Sequence, residues 1–485
     1  MIALLLVVVP LVMGLLLYLL PASAERAAKW IGAVVAAAAF LVIVANPYTA
    51  DFSVHWLARP FDAAFHFGYG PQSYWIVMLL ALATLSALVS LRTQRARAYT
   101  AQMLLLQGAM MGVFLAKDLL LFALFWDLML IPVFMLMIGW GTPQGGRGHH
   151  ATAAWRYLIY NLVGGLCLLL ATAAFGVVHG STDVIGNPSA HVAIGDIWGF
   201  WIFIGFAFAF LVKTPVFPFH TWMPDTYTEL PPPVVAVVGA VQSKAGLYGF
   251  LAIGLPFFAL QMHQAVPVMY TLGIIAMLYG AFVALTQTDA KRVVAYSSLS
   301  HLGLILIAIF SFDPIALAGA LVYIIAHGLF TAGIFLTLGY VEEREETRSL
   351  ARLGGLGHAN PKLAGALMLC VLAALGLPGL AGFAGELLIL TGLYHAGFGA
   401  AALIALLPIV LAAAYMLRLF QTVMNGPKVA DLPVRRDLTW LEGLAIAPLV
   451  IAFILLGISP GPIAGKPAAT PLTSMGTANV VSSIR

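Results

Sequence analysis

The sequence predicts an all-α polytopic membrane protein of about fourteen transmembrane helices. Three observations predict it. Of 485 residues, 62% are hydrophobic and 9% are charged, whereas a soluble domain carries about 25% charged residues. The apolar stretches run for roughly 18–25 residues, enough for a helix to cross the hydrocarbon core, and Gly and Pro recur within them. That pattern fits helices rather than the short alternating strands of a barrel. Finally, the basic residues fall almost entirely into every second loop.

Taken in order, the apolar runs centre near residues 10, 38, 82, 108, 130, 166, 207, 241, 275, 303, 326, 377, 411 and 448. The first, Met1–Leu20, has no basic leader ahead of it. The Pro-Ala-Ser-Ala that follows has a weak likeness to a cleavage flank, and the segment is expected to remain as a span. Loops after odd-numbered spans hold Arg26, Lys29, Arg92, Arg95, Arg97, Arg147, Arg156, Lys291, Arg292, Arg344, Arg348, Arg352, Lys362, Lys428, Arg435 and Arg436, which is 16 of the 23 basic residues. The opposite side holds only Arg59, Lys117, Lys466 and Arg485. By the positive-inside rule both termini then face away from the cytoplasm. The net charge of +4 is explained by topology and gives no reason to expect nucleic acid. Cys167 and Cys370 both lie in apolar helices, which argues against a disulfide framework or a metal site. The run Glu342-Glu343-Arg344-Glu345-Glu346 reads as a solvated helix face with i,i+4 pairing. His149 and His150 read as exposed residues of a Gly-rich loop.

Two spans have an unusual design. In the seventh, Lys213 is followed by Pro215 and Pro218; in the twelfth, Gly376, Pro378, Gly379, Gly382 and Gly385 precede Glu386. Proline removes a helix hydrogen bond and glycine lets the chain unwind, so both spans are expected to be broken. They lie five spans apart, and an odd offset reverses direction across the bilayer. Spans four to eight and nine to thirteen would therefore form two inverted five-helix repeats, each with one broken helix. The expected divisions are 1–99 for helices one to three, 100–255 and 256–425 for the repeats, and 426–485 for the last helix and tail. Paired interrupted helices point to an ion site. Ordinary proline kinks are the alternative, weakened by the charges beside them.

Those charges are the chemical signal. Lys213, Lys244, Asp127 and Glu386 all lie in stretches apolar enough to cross a membrane. An ion at bilayer depth costs about 2.5–3.5 kcal/mol on insertion scales and persists where it faces a polar interior or a partner.

The residues around these charges carry a family likeness. Phe125-Trp126-Asp127, Phe208 to Asp225, Ser243-Lys244-Ala245-Gly246, Ala295 to Gly303 and Gly376 to Glu386 occur in the order that the family shows. From about residue 60 to 425 the chain resembles the antiporter-like subunits of respiratory complex I. These are similar in turn to subunits of Mrp-type sodium/proton antiporters and membrane-bound hydrogenases. Within the family the likeness is to the M-type (chain 4) branch: Glu386 stands where the N-type and Mrp D-type carry lysine, and no long lateral helix follows the fourteenth span. One position departs, since Asp127 stands where the family usually has glutamate.

The resemblance implies a proton-translocating membrane subunit of an NADH:quinone oxidoreductase in a bacterial-type inner membrane. NADH, FMN, iron–sulfur clusters and quinone would belong to partner subunits, with L-type and N-type antiporter-like subunits as neighbours. No dinucleotide motif or Cys cluster argues for a cofactor on this chain itself. A charge pair at about 4 Å is worth about 4 kcal/mol at an effective dielectric of 20, roughly a thousandfold in proton affinity. Asp127 could thus gate Lys213, with Lys244 as the link between halves and Glu386 as the terminal acid. His220, His301 and His327 are secondary relay candidates, each also explicable as a packed histidine. Trp222, Pro224 and Asp225 are expected to shape the turn after the seventh span, with Asp225 as a cap. A permanent Asp127–Lys213 salt bridge, another ion-translocating assembly (antiporter, hydrogenase or bicarbonate uptake) and a structural spacer remain the competing readings.

Overall fold

The computed structural model describes residues 1–485 except 48–50, 94, 142–147, 186–196, 427–435 and 466–485. Arg147, Lys428, Arg435, Lys466 and Arg485 of the topology argument lie outside the described residues. The helices are α1 (Ile2–Leu17), α2 (Glu25–Ala45), α3 (Pro71–Ser90), α4 (Ala96–Leu115), α5 (Leu119–Leu128), α6 (Leu130–Trp140), α7 (His149–His179) and α8 (Ile197–Lys213). They continue as α9 (Met223–Glu229), α10 (Pro232–Ala240), α11 (Ala245–Gly249), α12 (Leu255–Phe257), α13 (Ala259–Thr286), α14 (Ala290–Ile309) and α15 (Pro314–Glu345). The last are α16 (Leu356–Ala359), α17 (Pro361–Ala374), α18 (Ala381–His395), α19 (Gly399–Phe420), α20 (Trp440–Ile458) and α21 (Gly461–Ala464).

Among the described residues, eleven helices or helix runs are long and apolar enough to cross a membrane; Ile2–Leu17, Ile197–Lys213 and Pro361–Ala374 are apolar but shorter. Many prolines start helices rather than kink them: Pro71, Pro314 and Pro361 sit in first turns, where a missing N–H costs nothing. Asp118, Asp289 and Asp313 cap α5, α14 and α15 through their carboxylates. The all-α expectation needs one correction. Between α2 and α3 an antiparallel hairpin pairs β1 (Phe52–Leu57) with β2 (Ala63–Phe67), Phe52 opposite Phe67.

The expected breaks are present. α8 stops at Lys213 and the chain resumes as α9 at Met223; α17 stops at Ala374 and resumes as α18 at Ala381. Gly376 and Gly379 adopt φ of +73° and +90°, a region glycine enters without strain. A third break was not expected: between α10 and α11, residues Gln242–Lys244 form a 3₁₀ turn. Just beyond it the chain closes on α8: a Cβ on Gly246 would lie 2.1 Å from the Phe210 carbonyl oxygen.

α15 is the central post. Its apolar window is wholly buried, as is that of the α10–α12 run, and it packs against α10, α14, α17, α18 and α20. From Ala316 to Glu342 its side chains are all buried, which is where titratable residues can meet.

Candidate functional site

Lys213 is the last residue of α8, where a cation meets the negative end of the helix dipole. Its side chain is 1% exposed, and Nζ has no hydrogen-bond partner but lies 5.1 Å above the Trp126 ring. Asp127, the next residue of α5, also has an unpartnered Oδ1. No ion pair within 4.0 Å joins it to Lys213 among the described residues, although the two charges influence one another. The permanent salt bridge is thus not the geometry observed. Asp127 lies instead against α7, where a Cβ on Gly165 would fall 1.7 Å from Oδ1.

Beyond Lys213 the chain is pinned by the Trp222 indole, which donates to the Val212 carbonyl at 3.0 Å. Trp222 is the N-cap of α9, and Pro224 and Asp225 lie in its first turn. Asp225 is therefore not the capping residue expected; its carboxylate pairs with Arg156 and, at 2.5 Å, with Arg292. His220 is buried, its ring against Phe217 and Tyr279. Among the described residues no hydrogen bond or ring contact ties it to Lys213 or Lys244.

Lys244 sits in the 3₁₀ turn, fully buried, and its Nζ donates to the Gly239 carbonyl. Its charge reaches both His301 on α14 and His327 on α15. The two imidazole rings are 5.4 Å apart between centroids. Both nitrogens of His327 and Nε2 of His301 lack partners. His301 Nδ1 is 2.5 Å from the Tyr323 hydroxyl, and that hydroxyl is 2.6 Å from Glu386 Oε1. Glu386, 4% exposed, fills the space left by Gly376, where a Cβ would lie 2.3 Å from Oε2. His301 and Glu386 are thus joined through Tyr323, which sequence reasoning missed, with His327 and Lys244 on the far side of His301. A signal existed: Tyr323 lies four residues before His327, one turn away on the same helix face.

The Glu342–Glu346 reading holds for Glu343 and Glu346, which are exposed, and is overturned for the other three residues. Glu342, Arg344 and Glu345 are only 7–8% exposed, because the end of α15 is enclosed by the starts of α14 and α20. Lys291 pairs with Glu342 at 2.6 Å, and Arg344 grips Glu442 with contacts of 3.0 and 2.8 Å. Arg348 joins Glu229 at 2.8 Å and Asp289 at 2.6 Å. His149 and His150 open α7 rather than occupy a loop; His149 stays exposed, 3.4 Å from Glu229, while His150 is half-buried.

Residues 116–412 match the family described as NADH:quinone oxidoreductase/Mrp antiporter, TM. The chain belongs to this family. NADH-quinone oxidoreductase subunit M of Mycobacterium tuberculosis (strain ATCC 25618 / H37Rv) is 33% identical over 514 residues, covering 94% of this chain and 90% of that protein. The subunit M of Escherichia coli (strain K12) is 31% identical over 425 residues, covering 86% and 83%. Among solved structures, a chain of respiratory complex I from Thermus thermophilus with bound NADH superposes with a TM-score of 0.85 and 30% identity, covering 96% of this chain and 97% of that one. A chain of the Mrp complex from Dietzia sp. DQ12-45-1b gives a TM-score of 0.85 at 22% identity over 98% of both chains, a likeness of fold alone. As a member of the NADH:quinone oxidoreductase/Mrp antiporter family, the chain is a multi-pass membrane protein, and the matched region contains Asp127, Lys213, His220, Lys244, His301, Tyr323, His327 and Glu386.

Proposed function

We propose that this chain is a proton-translocating membrane subunit of an NADH:quinone oxidoreductase, moving protons along Asp127, Lys213, Lys244, His327, His301 and Glu386 as redox chemistry proceeds in partner subunits. The observation that carries the proposal is the row of titratable groups, buried but for half-buried Asp127, most of them without a neutralising partner. An uncompensated ion at membrane depth is too costly to be kept for packing alone. Asp127 and Lys213 are near enough to influence one another yet unpaired, as a gate that closes and opens requires.

The finer architecture follows on this reading. The three shorter apolar helices complete fourteen spans. Residues 100–255 and 256–425 form inverted repeats around the breaks at Lys213 and Gly376, flanked by 1–99 and 426–485. Both termini lie on the non-cytoplasmic side of a bacterial inner membrane. NADH, FMN, iron–sulfur clusters and quinone are held by other subunits, and the neighbours in the membrane are L-type and N-type antiporter-like subunits. His220 serves as a side branch of the relay.

Lys213→Ala tests the proposal in the assembled complex. Proton-to-electron stoichiometry should fall with subunit content unchanged. Unaltered stoichiometry would refute the relay role of Lys213.

A further inference from the structure

Tyr323 is fully buried on α15, and its hydroxyl has two partners on two other helices: His301 Nδ1 of α14 and Glu386 Oε1 of α18. Both contacts are short, and the 2.6 Å one to Glu386 is in the range of a charge-assisted O–H···O⁻ hydrogen bond. The approach is built in at backbone level. A Cβ on Gly385 would lie 2.7 Å from Cβ of Tyr323, so α18 closes on α15 at the residue beside Glu386. A tyrosine buried only for packing needs one partner for its hydroxyl. This one has two, and both can gain or lose a proton.

We infer that Tyr323 is an obligatory relay residue that carries protons between His301 and Glu386, resting on the proton-translocation reading above. In the receiving state the His301 imidazole is neutral with its proton on Nδ1, and its Nε2, which lacks a partner, is free to take a proton arriving from the His327 and Lys244 side. The resulting imidazolium passes its Nδ1 proton to the phenol oxygen. In the same step the phenol O–H bond breaks and its proton goes to the Glu386 carboxylate. The tyrosine is neutral before and after, one proton has moved from His301 to Glu386, and no electrons change hands. Once Glu386 releases its proton onward, the hydroxyl turns back towards the carboxylate and a half-turn of the His301 ring brings its protonated nitrogen to face the hydroxyl, resetting the chain. The other titratable groups around this link are His327 on the same helix, Lys244 on the α10–α11 turn, and Tyr415 of α19, whose hydroxyl is 3.0 Å from Ser297.

The test uses the assembled complex. Tyr323→Phe keeps the ring and removes the hydroxyl; proton-coupled NADH:quinone turnover should drop about tenfold or more, the scale of losing one positioned proton-transfer group. A complex with 3,5-difluorotyrosine at 323 keeps the hydroxyl but makes it more acidic, and the pH profile of turnover should shift. Tyr323→Phe pumping at the unmodified rate while Glu386→Gln does not would overturn the relay role of Tyr323 alone. Normal pumping in Lys213→Ala and Glu386→Gln as well would instead overturn the proton-translocation reading. Where Tyr323→Phe fails to assemble, the fluorinated complex decides: a shifted profile supports the relay and an unshifted one refutes it.

Discussion

The buried ion pair at the end of α15 allows a quantitative test of what holds the helix bundle together. Lys291 and Glu342 are 2.6 Å apart, with side chains 1% and 8% exposed. Removing one member of such a pair typically costs about 3–5 kcal/mol, because the other charge stays buried without its partner. Here the lower end applies to Lys291→Met, since Arg348 remains 4.0 Å from Glu342, although it is already engaged with Glu229 and Asp289. About 3 kcal/mol is roughly a hundredfold in the equilibrium for opening α15. Cys370 reports that opening: it is fully buried on α17, against Gly333 of α15, where a Cβ would lie 2.6 Å from its Sγ. Alkylation of Cys370 in the assembled complex, read by peptide mass spectrometry, should accelerate by about that factor in Lys291→Met. The double variant Lys291→Met/Glu342→Met removes both charges and should return to the original rate, as hydrophobic replacement of a whole buried pair is often neutral or stabilising. Equal protection in the single variant, or a double variant as labile as the single, would refute this account of the pair.

Gly376→Ala should both strain a left-handed position, at about 1–2 kcal/mol, and drive Glu386 off Tyr323, so pumping should fall as in Glu386→Gln while the subunit still assembles; a functional Gly376→Ala complex would contradict the tight fit. On the hairpin, the hydrogen bond His66 donates to the Asp183 carboxylate is the main influence raising its imidazole above the usual range, against partial burial. The charged contact is therefore fully present below about pH 6.5 and is lost as pH rises through the elevated value. Amide protection of Phe52–Leu57, corrected for intrinsic exchange, should drop over that interval, and His66→Gln should abolish the dependence. Asp127→Asn should impair coupling more than Asp127→Glu, because the gate needs charge; full pumping by the Asn variant and loss in the Glu variant would reverse that ranking.

The spans were legible because burial in lipid writes itself as long apolar runs, and two breaks were legible because Pro215, Pro218, Gly376 and Pro378 punctuate them. The break at Gln242–Lys244 was not, since it lies where the chain closes on α8 at Gly246, a contact between elements distant in sequence. The hairpin was missed for a related reason: its strands are short, and β1 is mostly exposed. The acid-rich end of α15 misled because charge density in sequence reads as solvation. Its cations are supplied from elsewhere, by Lys291 for Glu342, while Arg344 reaches Glu442 on α20. Lys213, Lys244 and Glu386 were found because an ion in an apolar span is conspicuous. Tyr323 was not, because a tyrosine there is unremarkable until its two partners are in view.

The two halves place their carboxylates in the same way and connect them differently. Asp127 rests in the space left by Gly165 and Glu386 in the space left by Gly376, so each acid is held against backbone where a side chain would exclude it. From there the geometry diverges. Glu386 is joined to His301 by two short hydrogen bonds through one hydroxyl, a continuous path whose forward transfer needs no rearrangement of heavy atoms. Asp127 has no such bridge to Lys213, and aspartate is a methylene shorter than the glutamate usual in the resembling family. Moving its carboxylate to within 4 Å of Lys213 would change the electrostatic energy there by several kcal/mol, whereas motion on the Glu386 side would only break a wire. On the proposed relay, control therefore resides at the open Asp127–Lys213 gap, and the Tyr323 link conducts whatever that gap releases.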